Sequence, residues 1–469
     1  MSSAPFRILI LGDFGGREHR GLSDAASLKT RRVRQVDRDD VDAAIAAIAP
    51  VMHLALAPGA APIAVPVSQL DDFHPDRIIE RVADFVRLRA LRDGASSQNA
   101  TAPRPAASRA QPVDDAAVSL AEGSVLDMIL DADSSPTRPV VAPRDDLAKF
   151  VAQAVDKHVV APRSVDQETL IAQIDDVITA TMRIVLHHPN FQSTEALWRG
   201  LWFLLTRLDT DENLQVYIAD VSQGEVAEAA RAPADAAGRG LLSILRGEGP
   251  GAHGAWSLVV GAYTFAPDEI PLVASVAGVA QTAGVPWMSA ADSRFAGAHS
   301  FGNNADPDDW DAAPLVGWEA FRRTAAARWI GLALPRFLLR VPYGARTDEC
   351  ETMAFEEAED GALAHDQYLW GNSALLAALL FGEAASNDDD LPTHGTLDGF
   401  PLFVAKVDGL PEVLPVAEAF FGGRAVTRLL DGGLTAIASE RDGDSLRVPR
   451  LQAVSRPAAP LAAATGGEA

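Results

Sequence analysis

The 469-residue chain contains 40 basic and 64 acidic residues, which give a formal net charge of −24. An apolar content of 48% is enough for sizeable cores in two or three domains, so the composition indicates a globular protein. The negative charge repels phosphates and anionic membrane surfaces, which argues against nucleic-acid binding. The single cysteine, Cys350, excludes an intrachain disulfide and a multi-cysteine zinc site, and it favours a reducing compartment.

The charge is unevenly distributed along the chain. Residues 1–93 hold 13 basic and 13 acidic residues, so the remaining 27 basic and 51 acidic residues carry the whole net charge. The neutral N-terminal region is therefore able to dock against an acidic surface. Its one notable basic cluster comprises Lys29, Arg31, Arg32, Arg34 and Arg38. Because charge runs usually solvate a face, we interpret this cluster as a solvated loop and strand edge.

The N-terminal region is predicted to be a compact α/β unit that ends near Asp93. Apolar and alternating residues predict four short strands, at residues 6–11, 32–36, 52–56 and 63–67. Asp39 or Asp40 is expected to cap a helix that stops at Pro50. Pro75 suits the first turn of a second helix, with apolar residues at helical spacing after it.

A tether is predicted after this unit. Residues 94–119 are dominated by Ala, Ser, Pro, Gln and Asn, and such a composition cannot offset the entropy of ordering. An amphipathic island at residues 124–130 is too short to be stable alone, so we expect it to order only against a partner or the body of the protein. The predicted order is a small domain, a flexible linker, a larger mixed α/β domain and a disordered tail, at residues 1–93, 94–145, 146–456 and 457–469.

The larger region opens with helical patterns. A long helix from Asp166 to Val185 is expected to end at Pro189, and a second helix is predicted over residues 195–208. Its apolar stripe is interpreted as core packing by Leu197, Trp198, Leu201 and Trp202. Arg199 lies off this stripe and can pair with Glu195, four residues before it.

Strand patterns follow at residues 214–218 and 256–260, and residues 337–341 are typical of a strand or a helix end. A long uncharged run, 270–291, contains two prolines and is mostly Ala and Val, whereas a membrane span needs about 20 strongly apolar residues. We therefore predict a buried helix followed by a strand. The start of the chain shows no secretory signal, so we expect a cytoplasmic protein without membrane insertion.

Catalytic and cofactor motifs are missing from the sequence. None of the four lysines follows a glycine, which excludes a P-loop, and the glycines of 247–254 precede a strand pattern rather than a helix. His187–His188 is interpreted as a helix end, and the aspartates of 306–311 and 388–390 as solvated loops. With no Gly-x-Ser-x-Gly elbow and no His-Glu-x-x-His helix, we expect neither an enzyme nor a bound metal or cofactor.

Two arginines stand among apolar residues of the 331–344 run, Arg336 and Arg340. A buried arginine must be paired, and the acidic residues available nearby are Glu351, Glu356 and Glu357. We favour an internal ion pair over an intersubunit contact for these arginines.

Two ordered sets of motifs resemble the contractile sheath of type VI secretion. Within residues 6–93, Ile-Leu-Gly-Asp-Phe (10–14), Val-Asp-Arg-Asp (36–39) and Leu-Asp-Asp-Phe-His-Pro-Asp (70–76) resemble the small sheath subunit. Residues 124–456 resemble the large subunit. The motifs of this second set are Leu126–Leu130, His188–Phe191, Leu197–Leu201, Trp318–Arg322, Gly331–Gly344, Phe355–Glu357, Leu369–Asn372 and Arg450–Gln452. The chain thus resembles a natural fusion of two subunits that normally pair.

The resemblance implies a contractile tail-sheath-like fold and a structural role: assembly around an inner tube and contraction that propels it. It implies as partners other sheath subunits or copies of itself, the inner-tube protein, the baseplate and an AAA+ unfoldase similar to ClpV. The candidate unfoldase-binding helix comprises Val125, Leu126, Asp127, Met128, Ile129 and Leu130. The candidate structural or interface residues are Asp71, Asp72, Phe73, His74, Trp198, Arg199, Arg336 and Arg340.

One alternative stays open. Fusion removes two chain ends, and sheath lattices exchange chain ends as strands between neighbours. The sequence also stops soon after Arg450–Gln452. The alternative is therefore a non-polymerising sheath-like adaptor or assembly regulator that binds baseplate or sheath proteins.

Overall fold

The computed structural model describes residues 4–97, 167–248, 250, 253–302, 304–311, 315–387, 390–407, 409–441 and 443–462. The predicted island at 124–130 and most of the predicted linker lie outside these residues. The chain divides into two compact units, one over Met1–Met52, Pro66–His74 and Pro189–Ala469 and the other over His53–Val65 and Pro75–His188.

The strands, in chain order, are β1 Phe6–Gly12, β2 Val33–Gln35, β3 Val51–Leu54, β4 Ile63–Pro66, β5 Leu214–Asp220, β6 Leu258–Phe265, β7 Trp287–Ala291, β8 Ile330–Leu334, β9 Phe337–Leu338, β10 Trp370–Gly371, β11 Gly395–Leu397, β12 Val404–Val407, β13 Leu410–Val413, β14 Thr435–Ala436, β15 Ala438–Ser439 and β16 Leu446–Val448. The helices are α1 Val41–Ile48, α2 Pro75–Arg81, α3 Ala83–Ser97, α4 Gln167–Leu186, α5 Pro189–Leu205, α6 Gln223–Arg231, α7 Ala236–Leu245, α8 Ile270–Ala283, α9 Trp318–Arg322, α10 Ala374–Ser386 and α11 Gly423–Asp431. The predicted mixed α/β class is confirmed.

The first unit is built on a seven-stranded sheet with the order β14-β8-β7-β6-β1-β5-β2. Its strands are parallel except β2, which runs antiparallel to β5. β1 lies between β5 and β6, with Ile8 opposite both Val216 and Leu258. Ile8 to Leu11 are fully buried, as a central parallel strand requires. Sequence segments that we assigned to separate domains therefore contribute to one sheet.

The uncharged run of 270–291 forms α8 followed by β7, as predicted. Apolar residues along α8 pack into the core with β6 and β7, and Val273 and Ala277 are fully buried. Gly284 follows the helix with φ of 73° and so ends it in the left-handed conformation that glycine adopts without strain.

The second unit contains α2, α3 and α4. α2 begins at Pro75, as predicted, because the fixed φ of proline suits the first helical turn. α3 runs to Ser97, four residues beyond the predicted domain end. It packs against α4, and the Arg92 Nε atom lies 2.5 Å from an Asp175 carboxylate oxygen.

Three local predictions hold only in part. Asp40 takes the N-cap position of α1, as one of the two predicted aspartates, but its side chain makes no capping hydrogen bond. The capping carboxylate belongs to Asp37, which accepts from the Asp39 and Asp40 amides at the start of the 3₁₀ turn that precedes the helix. α5 starts at Pro189 rather than residue 195, since the proline initiates this helix instead of only ending the previous one. Residues 337–341, predicted to form a strand or a helix end, contribute only the two residues of β9 to a strand.

Candidate functional site

The Asp71–His74 motif forms a turn that anchors its segment. The Asp72 carboxylate is buried and accepts from the Ser68 amide at 2.7 Å and the Ser68 hydroxyl at 2.8 Å, whereas Asp71 is exposed. The buried Phe73 ring meets Phe191 edge-on at 5.7 Å between centroids. The His74 ring contacts the Tyr343 ring in the same manner, at 4.9 Å. This motif therefore acts as a packing anchor within the first unit.

Trp198 on α5 provides a second anchor. The Trp198 side chain is fully buried, and its indole Nε1 atom donates to the Phe14 carbonyl at 3.1 Å. The Phe14 and Trp198 rings also pack edge-on, with 4.8 Å between their centroids. The predicted core position of Trp198 is thus confirmed. The same prediction is wrong for Trp202 on this helix, whose side chain is 36% exposed.

A buried ion-pair network surrounds Glu195. This fully buried carboxylate accepts from Arg199 Nε at 2.7 Å, the predicted partner, and from Arg340 Nε at 2.9 Å. Arg340 also donates to Glu357 at 2.7 Å, and Arg199 donates to the Tyr343 hydroxyl at 2.8 Å. Burial alone would lower the pKa of Arg340, but Glu195 and Glu357 outweigh it and raise that pKa well above its usual value. Two carboxylates balance two arginines, so these four charged side chains are together neutral.

Arg336 is paired with a residue that sequence reasoning did not find. Its guanidinium donates to Glu418 at 2.6 Å, and His365 Nε2 lies 3.0 Å from the same carboxylate oxygen. Burial acts to raise the pKa of Glu418, but the hydrogen bonds from His365 and Arg336 lower it to about 2. The predicted internal pairing holds for both arginines, but of the three predicted glutamates only Glu357 is a partner of Arg340, and none pairs with Arg336.

Glu225 is a junction residue that sequence reasoning also missed. The carboxylate accepts from Arg31 Nη2 at 2.9 Å and Arg17 Nη2 at 3.2 Å, and its side chain is fully buried. It also accepts from the Asp24 amide at 2.8 Å and the Ser222 amide at 3.0 Å. Burial acts to raise the pKa of Glu225, but these amides and Arg31 lower it overall. The Ser-x-x-Glu capping box of α6 was the available signal in the sequence.

A cleft of about 290 Å³ opens beside this junction, at the C-terminal end of β5. Its charged lining residues are Arg17, Arg31, Arg32, Arg34 and Asp220. Burial raises the pKa of Asp220 to about 6. The predicted basic cluster is therefore not uniformly solvated, since the Arg31 side chain is only 10% exposed and tied to Glu225.

The candidate unfoldase helix, from Val125 to Leu130, lies outside the described residues. Within the part of the chain that the structure describes, no group of three or more His, Cys, Asp or Glu side chains is arranged to hold a metal ion. In the same ranges, no helix is both long and apolar enough to span a bilayer.

Two regions of the chain match known protein families. The VipA family of the type VI secretion system (VipA, VC_A0107 or Hcp2) matches residues 2–99. The tail sheath N-terminal domain family VipB (EvpB/VC_A0108) matches residues 168–388. The chain belongs to the type VI secretion sheath family. This sheath protein combines a small-subunit region with a large-subunit region, as the motifs predict.

A curated relative agrees with this assignment. The type VI secretion system sheath protein TssC1 of Pseudomonas aeruginosa is 28% identical over 315 residues. The match covers 62% of the sheath protein described here and 62% of the length of that relative.

The two family matches show that the ion pairs of Glu225 join two different family regions. Arg17 and Arg31 lie in the region that matches VipA, whereas Glu225 lies in the region that matches VipB. β1 likewise comes from the first region and pairs along its whole length with β5 from the second, from Phe6 opposite Leu214 to Gly12 opposite Asp220. The small-subunit region is therefore held by a sheet pairing at the centre of the unit and by a buried ion pair beside it.

Proposed function

We propose that this protein is a structural sheath component of a contractile type VI secretion machine, in which it assembles with sheath subunits around an inner tube and contracts to propel it. The observation that carries the proposal is the position of β1, between two strands of the large-subunit region. One chain therefore supplies both a small-subunit region and a large-subunit region. The work would come from protein contacts, so the role is mechanical rather than catalytic.

Assembly is tested by electron microscopy of the purified full chain, alone and together with the inner-tube protein of the same system. Helical tubes or rings are the expected result, and tubes of uniform bore should form only when the inner tube is present. A strictly monomeric particle at high concentration would contradict assembly. It would favour instead the adaptor role, which a pull-down of separate sheath subunits or baseplate proteins would then test.

The remaining partners follow from the same proposal. We expect the inner-tube protein, the baseplate and an AAA+ unfoldase to bind this sheath protein in the cytoplasm. The candidate handle for the unfoldase is the segment from Val125 to Leu130, an amphipathic stretch that matches the start of the large-subunit resemblance.

The handle is tested by replacing Leu126 and Ile129 with Asp and measuring unfoldase binding by fluorescence anisotropy. Loss of binding with unchanged thermal unfolding is expected. Val316→Asp is the matched control, because Val316 is 92% exposed and lies elsewhere in the chain. Equal binding of the double variant and the control would exclude this segment as the handle.

A further inference from the structure

The cleft beside β2 carries more positive charge than the structure neutralises. Arg17 and Arg31 share the single carboxylate of Glu225. Arg32 and Arg34, which also line the cleft, have no ion pair among the described residues. Even with Glu225 and Asp220 both ionised, the four arginines leave an excess of two positive charges, in a chain whose net charge is −24.

The opposite end of the same sheet edge is acidic. Asp209, Asp211 and Glu212 are exposed and precede β5 directly, and none of them has an ion pair among the described residues. The Asp211 carboxylate accepts from the Leu214 amide at 2.9 Å and the Asn213 amide at 2.7 Å. These hydrogen bonds lower the pKa of Asp211 and keep it ionised. The acidic loop is therefore fixed against the first residue of β5.

The direction of the strands separates the two charges. The cleft touches Ile218 and Asp220 at the end of β5, whereas the acidic loop stands before Leu214 at its start. Six residue steps of a strand span roughly 20 Å. β2 runs antiparallel to β5, so the start of β2, beside Arg32, lies at the cleft. Val36, just after β2, donates to the Val216 carbonyl and therefore lies nearer the acidic loop. One edge of the sheet thus has a basic end and an acidic end.

We propose that the arginine cleft binds the acidic loop at residues 209–212 of a second copy of this chain. A contact between two different surfaces of identical chains is head-to-tail, and such contacts propagate into rings or filaments rather than closing as a dimer. The inference deepens the proposed function, and it rests on it, by naming the surfaces through which copies associate. Charge complementarity is the recognition principle, so the contact should weaken as salt is added.

The test measures self-association by sedimentation velocity as a function of protein concentration. R32E/R34E reverses the charge of the two unpaired arginines and is expected to weaken self-association about tenfold or more. D209K/E212K reverses the acidic loop without touching the capping carboxylate of Asp211, and an equal loss is expected. R38E is the matched control, because Arg38 follows β2 in the sequence, does not line the cleft and has its side chain 63% exposed. R38E should leave association unchanged.

Mixing provides the decisive measurement. The mixture uses neutralised variants, because the reversed cleft of R32E/R34E and the reversed loop of D209K/E212K would attract each other. R32Q/R34Q and D209N/E212Q each keep one intact surface, so an equimolar mixture of the two should form a 1:1 complex and nothing longer. Thermal unfolding of each variant checks that it is folded. No complex in the mixture, or the same loss with R38E as with R32E/R34E, would overturn the contact. If the wild type assembles and R32E/R34E assembles equally well, only this contact fails, whereas a monomeric wild type overturns the proposed assembly as well.

Discussion

Two buried glutamates in this protein each accept from two arginines, yet their surroundings differ. Glu195 shares one of its two arginines, Arg340, with Glu357, so two carboxylates balance two arginines within the large-subunit region. Glu225 receives both of its arginines from the small-subunit region, and the neighbouring Arg32 and Arg34 have no ion pair with any residue that the structure describes. The comparison teaches that one arrangement of charges can stabilise a core in one place and, in another, join two regions while leaving a cationic surface.

The largest effect is expected at Glu225. Glu225→Gln removes the only carboxylate that Arg17 and Arg31 share, so we expect a loss of about 3–5 kcal/mol in the free energy of unfolding. Urea unfolding monitored by circular dichroism measures it. Glu80→Gln is the control, since Glu80 is exposed and pairs within a helix, where a pair contributes about 0.5 kcal/mol or less. A loss as small as that of the control would mean that the junction does not hold the two regions together.

A smaller loss is expected at Glu195. Arg340 keeps Glu357 as a partner when Glu195→Gln is introduced, whereas Arg17 and Arg31 lose their shared carboxylate in Glu225→Gln, so we expect a smaller loss of about 2–4 kcal/mol. The same urea experiment measures it. We distinguish Glu195, whose partner Arg340 has a second carboxylate, from Glu225, whose two arginines have no other. If Glu195→Gln destabilised the protein more than Glu225→Gln, this distinction would be wrong.

Asp220, which lines the cleft beside Glu225, should make the free energy of unfolding depend on pH. Its pKa is raised from 3.8 to about 6 in the folded protein, so the folded state holds a proton that the unfolded state has already released between these values. Stability from this group is therefore present below pH 3.8 and falls as pH rises to about 6. Asp220→Asn abolishes this dependence, and we expect it to raise the free energy of unfolding at pH 7 by about 1–3 kcal/mol.

The pH prediction is checked by urea unfolding of both proteins at intervals from pH 4 to 7. The difference between variant and wild type should grow from pH 4 to about pH 6 and then level off. A difference that is constant with pH would show that Asp220 titrates normally in the folded protein.

The smallest effect is expected at the unpaired arginines. R32Q/R34Q should change the free energy of unfolding by no more than about 0.5 kcal/mol, because neither side chain has an ion pair within the described part of the chain and surface substitutions are usually near neutral. Thermal and urea unfolding measure this. A loss of 2 kcal/mol or more would assign these arginines to folding rather than to an intermolecular surface.

Much of the local structure was predictable. The run of 270–291 was correctly predicted as a helix and strand, because apolar composition, length and proline positions are local properties. The pair of Arg199 with Glu195 was predictable for the same reason, since residues four apart meet on one helical face. The start of α5 was missed because a proline can end one helix and begin the next, and only the chain direction after Leu186 decides between the two.

By itself, the sequence determined the family, the mixed α/β class and the helical stripes, all of which depend on residue order and short spacings. Only the tertiary structure decided that β1 lies between β5 and β6, that Arg336 meets Glu418, and that Glu225 lies beside Arg17 and Arg31. Those partners are 82 to 208 residues apart. Strand order, not spacing, brings them together, because hydrophobic burial fixes which strands are neighbours and the charged side chains then pair with whatever that order places within reach.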